Sequence, residues 1–297
     1  MSRFRCAREP RHHPVGRVGV GPDRPSLGRV TLATPEIRTP APVGAPDLYS
    51  ATPKSATPNA ATPITAVCLD IDDTLVDYGS SVRAGLREML GVDDAWPAWC
   101  ATTERHYPRF TAGEVDFDTM RRQRTKEFFA TRGELLDDDE AMERENRRMT
   151  AMRRAWRLFD DALPCLRWLR AVGLRLAAVT NAASRHQRAK LQALDLETAF
   201  DAVVISDEVG AAKPDPMIFH TACAALGVAP THAVHVGDRL DLDARGARAA
   251  GLHAVWLDRS RCGDRARPAE VTVISGLAEL PDVVTGLGAD PTVATRT

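Results

Sequence analysis

Four short segments of the sequence carry carboxylate, hydroxyl or ammonium groups at the ends of apolar runs or beside them. The tightest is Asp70-Ile71-Asp72-Asp73-Thr74, in which the carboxylates of Asp70 and Asp72 stand two positions apart. Two carboxylates so placed at a strand end repel each other unless a cation or a proton lies between them. The pair therefore predicts a site that binds a cation or transfers protons, and helix capping does not explain it.

The remaining groups have ordinary interpretations when each is taken alone. Asp, Thr and Asn after a strand commonly cap the next helix, and a lysine before a proline is usually a solvated loop residue. Their conjunction in this order, beside successive apolar runs, favours one functional site over several unrelated caps. The groups are Thr180 with Asn181, Lys213 before Pro214, and Gly237-Asp238 followed by Asp241 and Asp243.

A parallel sheet would bring these groups together. Because the apolar runs are nearly continuous rather than alternating in polarity, they predict strands that helices cover on both faces. Ligands of such sheets bind beyond the carboxyl ends of the strands, where the polar groups stand. The predicted fold class is therefore α/β, with a Rossmann-like parallel sheet. The runs cover residues 66–71, 174–179, 202–205, 233–236, 253–257 and 271–274.

About a hundred residues separate the first two runs, far more than the crossover helix of a βαβ unit needs. Residues 80–159 are rich in Arg, Glu, Met and Ala and show no convincing strand pattern, so they predict an inserted α-helical cap domain. We expect residues 64–79 and 160–285 to form the α/β core. Residues 286–297 are predicted to be a flexible C-terminus.

The first 63 residues differ in composition from the rest of the chain. They hold eleven of the twenty prolines and, in residues 51–63, three Ala-Thr-Pro repeats spaced five residues apart, a composition that builds no hydrophobic core. We expect a disordered, Pro-rich tail. Its nine Lys and Arg residues against four Asp and Glu leave open a weak basic arm, a transit peptide or a reading frame extended upstream of the true start.

Composition and charge argue against several classes of protein. A formal net charge of −1 gives no global field for binding nucleic acid or anionic membranes. No stretch approaches the roughly 18 apolar residues of a membrane span, and the N-terminus lacks the apolar run of a secretory signal. We expect a cytoplasmic enzyme without a nucleic-acid or membrane partner. The six scattered cysteines are predicted to be small buried hydrophobic residues rather than metal ligands.

The four polar segments resemble the four motifs of the haloacid dehalogenase-like hydrolases. The resemblance covers roughly residues 64–285, including a helical cap inserted after the first strand. The motif matches are, in order, Asp70-Ile71-Asp72-Asp73-Thr74 for D-x-D-x-T, Thr180, Lys213, and Gly237-Asp238 with Asp243.

This resemblance implies a Mg²⁺-dependent phosphatase that forms an aspartyl-phosphate. Asp70 would be the nucleophile, and Asp72 would protonate the leaving group and later activate water. Mg²⁺ would be bound by Asp70, the backbone carbonyl of Asp72 and Asp238. Thr180 and the amide of Asn181 would hold phosphoryl oxygens. Two further side chains complete the implied site: Lys213, which would neutralise charge and pair with Asp70, and Asp243, which would orient Lys213 or the metal's water ligands.

Two positions depart from the motifs that many relatives carry. Asp73 stands in place of a glycine and is predicted to cap a helix or turn. Arg239 stands where serine is frequent, and a salt bridge with Asp241 or Asp243 is predicted for it. Neither departure breaks the implied mechanism.

The implied substrate is a small phosphorylated metabolite of the sugar phosphate, nucleotide monophosphate or phosphoglycolate type, because a lid must close around it. True dehalogenases of the family lack the second acid, so Asp72 favours phosphoryl transfer. A phosphomutase and a non-catalytic metabolite-binding module remain as alternatives. The Arg-rich run 121–124 is predicted to be a solvated helix face, and the tryptophans to be cap core. The candidates for substrate specificity in the cap are Tyr78, His106, Tyr107, Arg109, Arg121, Arg122, Arg124, Trp96 and Trp99.

Overall fold

The computed structural model describes residues 63–91, 95–259 and 268–288. The described residues form one six-stranded sheet in the order β3-β2-β1-β4-β5-β6, and all neighbouring strands are parallel. The predicted parallel α/β sheet is thereby confirmed. The strands are β1 (Ala66–Leu69), β2 (Arg175–Thr180), β3 (Ala202–Ile205), β4 (Ala233–Gly237), β5 (His253–Leu257) and β6 (Thr272–Ile274).

The central strand β1 is apolar throughout because both of its faces are covered. Val67 and Leu69 point into one hydrophobic cluster, which includes residues of the helix at 162–171. Ala66 and Cys68 point into a second cluster on the opposite face of the sheet. All four residues are fully buried, as expected for a strand in the middle of a parallel sheet.

Among the described residues, four helices lie between β1 and β2 in the segment predicted to be a cap: α1 (Tyr78–Leu90), α2 (Trp96–Thr111), α3 (Phe117–Ala130) and α4 (Asp138–Arg154). Asp137 begins α4 with a capping box, since its carboxylate accepts from the Glu140 N–H while the Glu140 side chain accepts from the Asp137 N–H. The helices bury a core of their own around Trp99 and Phe128. The helical nature of the insert is confirmed, and its boundaries as a separate domain stay a prediction.

The part of the chain that the structure describes holds six further helices, which cover the sheet or follow its strands: α5 (Ala162–Ala171), α6 (Ser184–Ala193), α7 (Ser206–Val209), α8 (Pro216–Leu226), α9 (Arg245–Ala249) and α10 (Leu280–Gly288). Short 3₁₀ turns cover Pro230–His232 and Leu277–Glu279, and a π-helical turn covers Leu240–Ala244. None of the described helices combines the length and the hydropathy that crossing a membrane requires.

Three cysteines, Cys68, Cys165 and Cys223, are buried and unpaired, which confirms their predicted role as small hydrophobic residues; Cys100 is half-buried. The tail predicted for residues 1–63 lies outside the described residues except for Pro63. Most of the predicted flexible C-terminus, residues 289–297, also lies outside them.

Candidate functional site

The predicted site residues meet at the carboxyl edge of the three central strands. Strand β1 lies between β2 and β4. Asp70 follows β1 directly, and its N–H donates to the Val236 carbonyl of β4 at 2.9 Å. Thr180 is the last residue of β2, and Asp238 comes directly after β4. The sheet therefore carries three predicted site residues on one edge, as parallel pairing requires.

Lys213 lies between two carboxylates at the centre of this edge. Its ammonium donates to Asp70 Oδ1 at 2.6 Å, to Asp243 Oδ1 at 2.5 Å and to the Val179 carbonyl at 3.0 Å. All three side chains of the Asp70–Lys213–Asp243 chain are buried. Residues separated by up to 143 positions thus form one ion-pair chain, and such a buried chain fixes the position of each charge.

Burial and neighbouring charges shift the pKa values of these three side chains in different directions. Burial raises the pKa of Asp70 to about 7, and the carboxylates of Asp243 and Asp72 add to this effect while Lys213 opposes it. Burial alone would lower the pKa of Lys213, but Asp243 and Asp70 raise it above its usual value. Burial alone would raise the pKa of Asp243, but Lys213 and His235 hold it well below its usual range. Lys213 and Asp243 are therefore a fixed ion pair, whereas Asp70 can lose and gain a proton near neutral pH.

Asp243 is held in place from three directions. Besides Lys213, the ring Nε2 of His235 contacts its Oδ1 at 3.0 Å, and the Arg239 N–H donates to its Oδ2 at 3.0 Å. Burial lowers the pKa of His235, so its neutral ring donates from Nε2. A Cβ at Gly237 would lie 2.2 Å from Asp243 Cγ, which explains the glycine before Asp238. His235 is missed by the sequence analysis, because it stands in the interior of an apolar strand.

Asp70, Asp238 and Asp243 each place one carboxylate oxygen within 4.8 Å of the others, a spacing suited to a cation. Both oxygens of Asp243 are already bound by Lys213, His235 and Arg239, so Asp70 and Asp238 are the better candidates for ligands. Burial, together with the Asp70 charge, raises the pKa of Asp238 to about 8. A buried and a half-buried carboxylate that repel each other, both hard oxygen donors, fit a divalent cation such as Mg²⁺.

The loop after β2 is linked to Lys213 and to the cap. The Asn181 side chain donates from Nδ2 to the Lys213 carbonyl at 2.9 Å and accepts from the Lys213 N–H at 2.7 Å. The Thr180 hydroxyl accepts from Gln187 Nε2 at 3.2 Å. From α2 of the cap, the Tyr107 hydroxyl donates to the Asn181 carbonyl at 2.8 Å. Thr180 and Asn181 thus lie beside the ion-pair chain, and Tyr107 connects the cap to this loop.

Asp72 lies apart from the Lys213 chain and has a cation of its own. Its Oδ1 accepts from the Lys190 ammonium of α6 at 2.5 Å. Lys190 is fully buried, whereas the Asp72 side chain is 26% exposed. Lys190 is not predicted from the sequence, because it stands in the middle of a helix, outside every motif. The signal that could have indicated it is a lysine on the buried face of an amphipathic helix.

The structure confirms the predictions for the two departures from the motif pattern. Asp73 has a left-handed φ of 59°, and its Oδ1 accepts from the Gly79 N–H of α1 at 2.8 Å. It therefore holds the start of the cap helix. Arg239 pairs with Asp241 at 3.2 Å, and both side chains are more than half exposed.

The prediction that residues 121–124 form a solvated helix face is wrong for two of the arginines. Arg121 and Arg124 are buried, because both donate to Glu145, whose side chain is fully enclosed. The Arg124 guanidinium also lies 4.3 Å from the centre of the Trp99 ring. Periodicity alone misplaces these residues because it cannot reveal a buried carboxylate on the neighbouring helix. Trp99 is buried, as predicted for cap core, and Trp96 is partly buried.

Replacing Lys213 with Met is expected to lower the free energy of unfolding by roughly 3 to 5 kcal/mol, the usual cost of breaking a buried ion pair from one side. Asp70 and Asp243 would lose the charge that compensates their burial. Urea denaturation at pH 8 measures the effect. Lys126→Met serves as the control, because the Lys126 pair with Asp138 is exposed and its loss should cost less than about 1 kcal/mol. Equal losses of unfolding free energy in the two variants would contradict the stabilising role proposed for the Asp70–Lys213–Asp243 ion pairs.

The fold and site together define an α/β protein with its polar groups on one sheet edge and an inserted helical cap. The sequence profile of the haloacid dehalogenase-like hydrolases matches residues 64–251, which is more than half of the chain. The protein belongs to this family.

Individual relatives are consistent with this assignment. Phosphoserine phosphatase of Thermus thermophilus is 48% identical over 107 residues, which cover 36% of this chain and 43% of that protein, less than half of its length. N-acylneuraminate-9-phosphatase of Mus musculus is 30% identical over 240 residues, which cover 73% of this chain and 92% of that protein. The HAD-hydrolase YfnB of Bacillus subtilis, solved with bound magnesium, shares the fold with a TM-score of 0.65 and 21% identity, covering 75% of this chain and 99% of that one.

Proposed function

We propose that the protein is a Mg²⁺-dependent phosphatase that hydrolyses a small phosphorylated metabolite through a covalent phosphate on Asp70. The single observation that carries the proposal is the arrangement of two separate acids. Asp70 is buried and paired with Lys213 at 2.6 Å, while Asp72 lies two positions on and is partly exposed. This arrangement supports Asp70 as the nucleophile and Asp72 as the proton carrier.

The first half of the reaction needs both acids. An Asp70 carboxylate oxygen forms a bond to phosphorus, and the bond from phosphorus to the leaving oxygen breaks. Asp72 transfers its proton to that oxygen, so the product leaves as an alcohol. The Lys213 pairing holds the nucleophile in one orientation, which supplies part of the rate enhancement through positioning.

The second half of the reaction regenerates the enzyme. Asp72, now ionised, takes a proton from a water molecule, and the resulting hydroxide attacks phosphorus. The bond between Asp70 and phosphorus breaks, so inorganic phosphate is released and Asp72 is protonated again. A dehalogenase needs no such proton donor, because halide leaves unprotonated. Asp72 therefore supports phosphate ester hydrolysis.

Charge on the phosphoryl group would be stabilised by the groups beside Asp70. The candidates are the Lys213 ammonium, which donates to Asp70, the Thr180 hydroxyl at the end of β2 and the amide of Asn181, the next residue. Asp70, the backbone carbonyl of Asp72 and Asp238 would hold Mg²⁺, with Asp243 behind them fixing Lys213. When bound, Mg²⁺ supplies positive charge that lets a phosphate dianion approach a carboxylate.

The cap supports a small substrate. Tyr107 of α2 contacts the loop after β2, so the cap lies close to the proposed phosphate site. An enclosed site excludes large substrates and expels water from the reaction. The phosphatase names of the relatives support phosphate monoesters as a class. We propose a sugar phosphate, a nucleotide monophosphate or a phosphoglycolate-type ester, and a panel of such compounds with release of phosphate as the readout tests this choice.

Hydrolysis of p-nitrophenyl phosphate is expected with Mg²⁺ and should be abolished by EDTA. Without the ion, Asp70 and Asp238 would repel a phosphate dianion. Restoring Mg²⁺ after chelation should restore the rate, which separates metal removal from denaturation. Undiminished activity in EDTA would overturn the proposed metal site.

Mg²⁺ binding is expected to weaken as the pH falls from about 9 to about 6. Burial first, and then the charges of neighbouring carboxylates, raise the pKa values of Asp70 and Asp238 to about 7 and about 8, and both groups must be ionised to bind the cation. Protons should therefore be released on binding at pH 6.5, measurable by titration calorimetry in buffers of different ionisation enthalpy. Asp238→Asn should abolish binding, whereas Asp241→Asn, at an exposed carboxylate, should not. A dissociation constant independent of pH would contradict this account.

A further inference from the structure

Helix α6 presents two buried polar side chains, one turn apart, to the site. Gln187 and Lys190 are both fully enclosed, although both residue types are usually exposed. Residues three positions apart in a helix lie on the same face. Lys190 Nζ donates to Gln187 Oε1 at 2.9 Å, so the two side chains form one unit.

Each end of this unit contacts one of the proposed catalytic groups. At one end, the Lys190 ammonium donates to Asp72 Oδ1 at 2.5 Å. At the other end, Gln187 Nε2 donates to the Thr180 hydroxyl oxygen at 3.2 Å. The hydroxyl of Thr180 accepts from Gln187, so its own proton is left to donate elsewhere. The described contacts run continuously from Asp72 through α6 to Thr180.

Described protein groups surround the Lys190 side chain, which is fully buried. Besides Asp72 and Gln187, its ammonium lies 4.5 Å from the centre of the Tyr78 ring and 5.8 Å from that of Trp156. An ammonium has three N–H donors, and a buried one is stable only when its surroundings satisfy the charge. Lys190 is thus placed to act on Asp72 and not to bind substrate itself.

We propose that Lys190, braced by Gln187, is a positioning residue for the proton transfers of Asp72. The inference rests on the proposed phosphatase function and adds a residue to it. Through Oδ1, the ammonium fixes the rotation of the Asp72 carboxylate and leaves Oδ2 to face the leaving group and the attacking water. Proton transfer requires such a fixed geometry within hydrogen-bond reach, and supporting residues of this kind are typically worth about 10- to 100-fold in activity.

The test compares leaving groups that differ in their need for a proton. Lys190→Met should lower kcat on simple alkyl phosphates roughly 10- to 100-fold, as loss of a supporting contact does. On p-nitrophenyl phosphate, whose leaving group needs little protonation, phosphorylation of Asp70 should be nearly unchanged in single-turnover measurements. Lys190→Gln, which keeps an uncharged N–H donor on a shorter side chain, is measured beside it as a second replacement that retains a polar group. Arg188→Met on the same helix is the control, because Arg188 pairs with Glu208 at the surface.

A double-mutant cycle shows whether Lys190 acts through Asp72. In an Asp72→Asn background, Lys190→Met should change the alkyl phosphate rate little, since the group that it positions is already lost. Two results would overturn the role of Lys190 and leave the phosphatase proposal standing. One is an equal loss of the alkyl phosphate rate on Lys190→Met in both backgrounds, and the other is a loss that is the same for alkyl and aryl phosphates. If Asp72→Asn itself shows no dependence on the leaving group, the proposed proton carrier is wrong and the inference falls with it.

Discussion

Replacing Asp70 with Asn is expected to lower kcat roughly 10⁴- to 10⁶-fold, the scale on which removal of a covalent nucleophile acts. Asparagine has nearly the same shape, but its amide does not attack phosphorus, so no covalent phosphate forms. The neighbouring Lys213 keeps its contact with Asp243 at 2.5 Å, so the site should stay assembled. Steady-state rates on p-nitrophenyl phosphate measure the loss, and activity near the wild-type value would contradict the proposed role of Asp70.

The same variant should be at least as stable as the wild type at pH 8 in the absence of Mg²⁺. The folded pKa of Asp70, about 7, lies above the ordinary value of 3.8. A carboxyl group with a raised pKa contributes most stability below the unfolded value and loses it as the pH rises through the folded value. Asparagine has no charge at this position, so the Asp70→Asn variant does not lose this stability as the pH rises. A lower melting temperature for Asp70→Asn at pH 8, with no difference at pH 4, would contradict the sign of the effect.

Replacing Asp72 with Asn is expected to lower turnover of alkyl phosphates roughly 10²- to 10⁴-fold, the range for loss of a general acid or base. The nucleophile and the backbone carbonyl remain, so an activated aryl phosphate should still phosphorylate Asp70. Hydrolysis of the covalent phosphate should become slow, because no base activates water. Burst kinetics with p-nitrophenyl phosphate should show one rapid equivalent followed by a slow phase.

Asp73→Asn provides the matched control for this variant. It makes the same chemical change one position further on, at a residue that caps α1 through Gly79. Asparagine tolerates the left-handed backbone at this position and keeps an oxygen for the Gly79 N–H. We expect no burst and nearly normal turnover. A burst in both variants would show that any charge loss near Asp70 produces it.

The strands and the residues at their ends were predictable from sequence because parallel strands carry a strong local signal. Continuous apolar runs predict doubly covered strands, and the polar residues after them lie on one edge whenever the strands pair in parallel. That rule alone predicts that one edge of the sheet carries Asp70, Thr180 and Asp238. Lys213 comes from a loop, and its contact with Asp70 follows from no local pattern.

Tertiary contacts made by polar side chains outside the four motifs were not predictable. Lys190 reaches Asp72 across 118 positions, and the Tyr107 hydroxyl reaches the Asn181 carbonyl across 74. The helical period marks Lys190 only as a polar residue, and a buried lysine is recognisable only when its carboxylate partner is known. For the same reason the sequence pattern wrongly predicts a surface position for Arg124, which pairs with the enclosed Glu145.

The central claim is that phosphate is transferred to Asp70, and acid-quench trapping in the Asp72→Asn variant tests it most directly. The protein is mixed with p-nitrophenyl phosphate and Mg²⁺, quenched in acid within the burst, and digested for mass spectrometry. The account predicts one phosphate on the peptide that contains Asp70, and none in the Asp70→Asn variant. Phosphate mapped to another residue, or a rapid burst of p-nitrophenol without any phosphorylated peptide, would contradict the covalent mechanism.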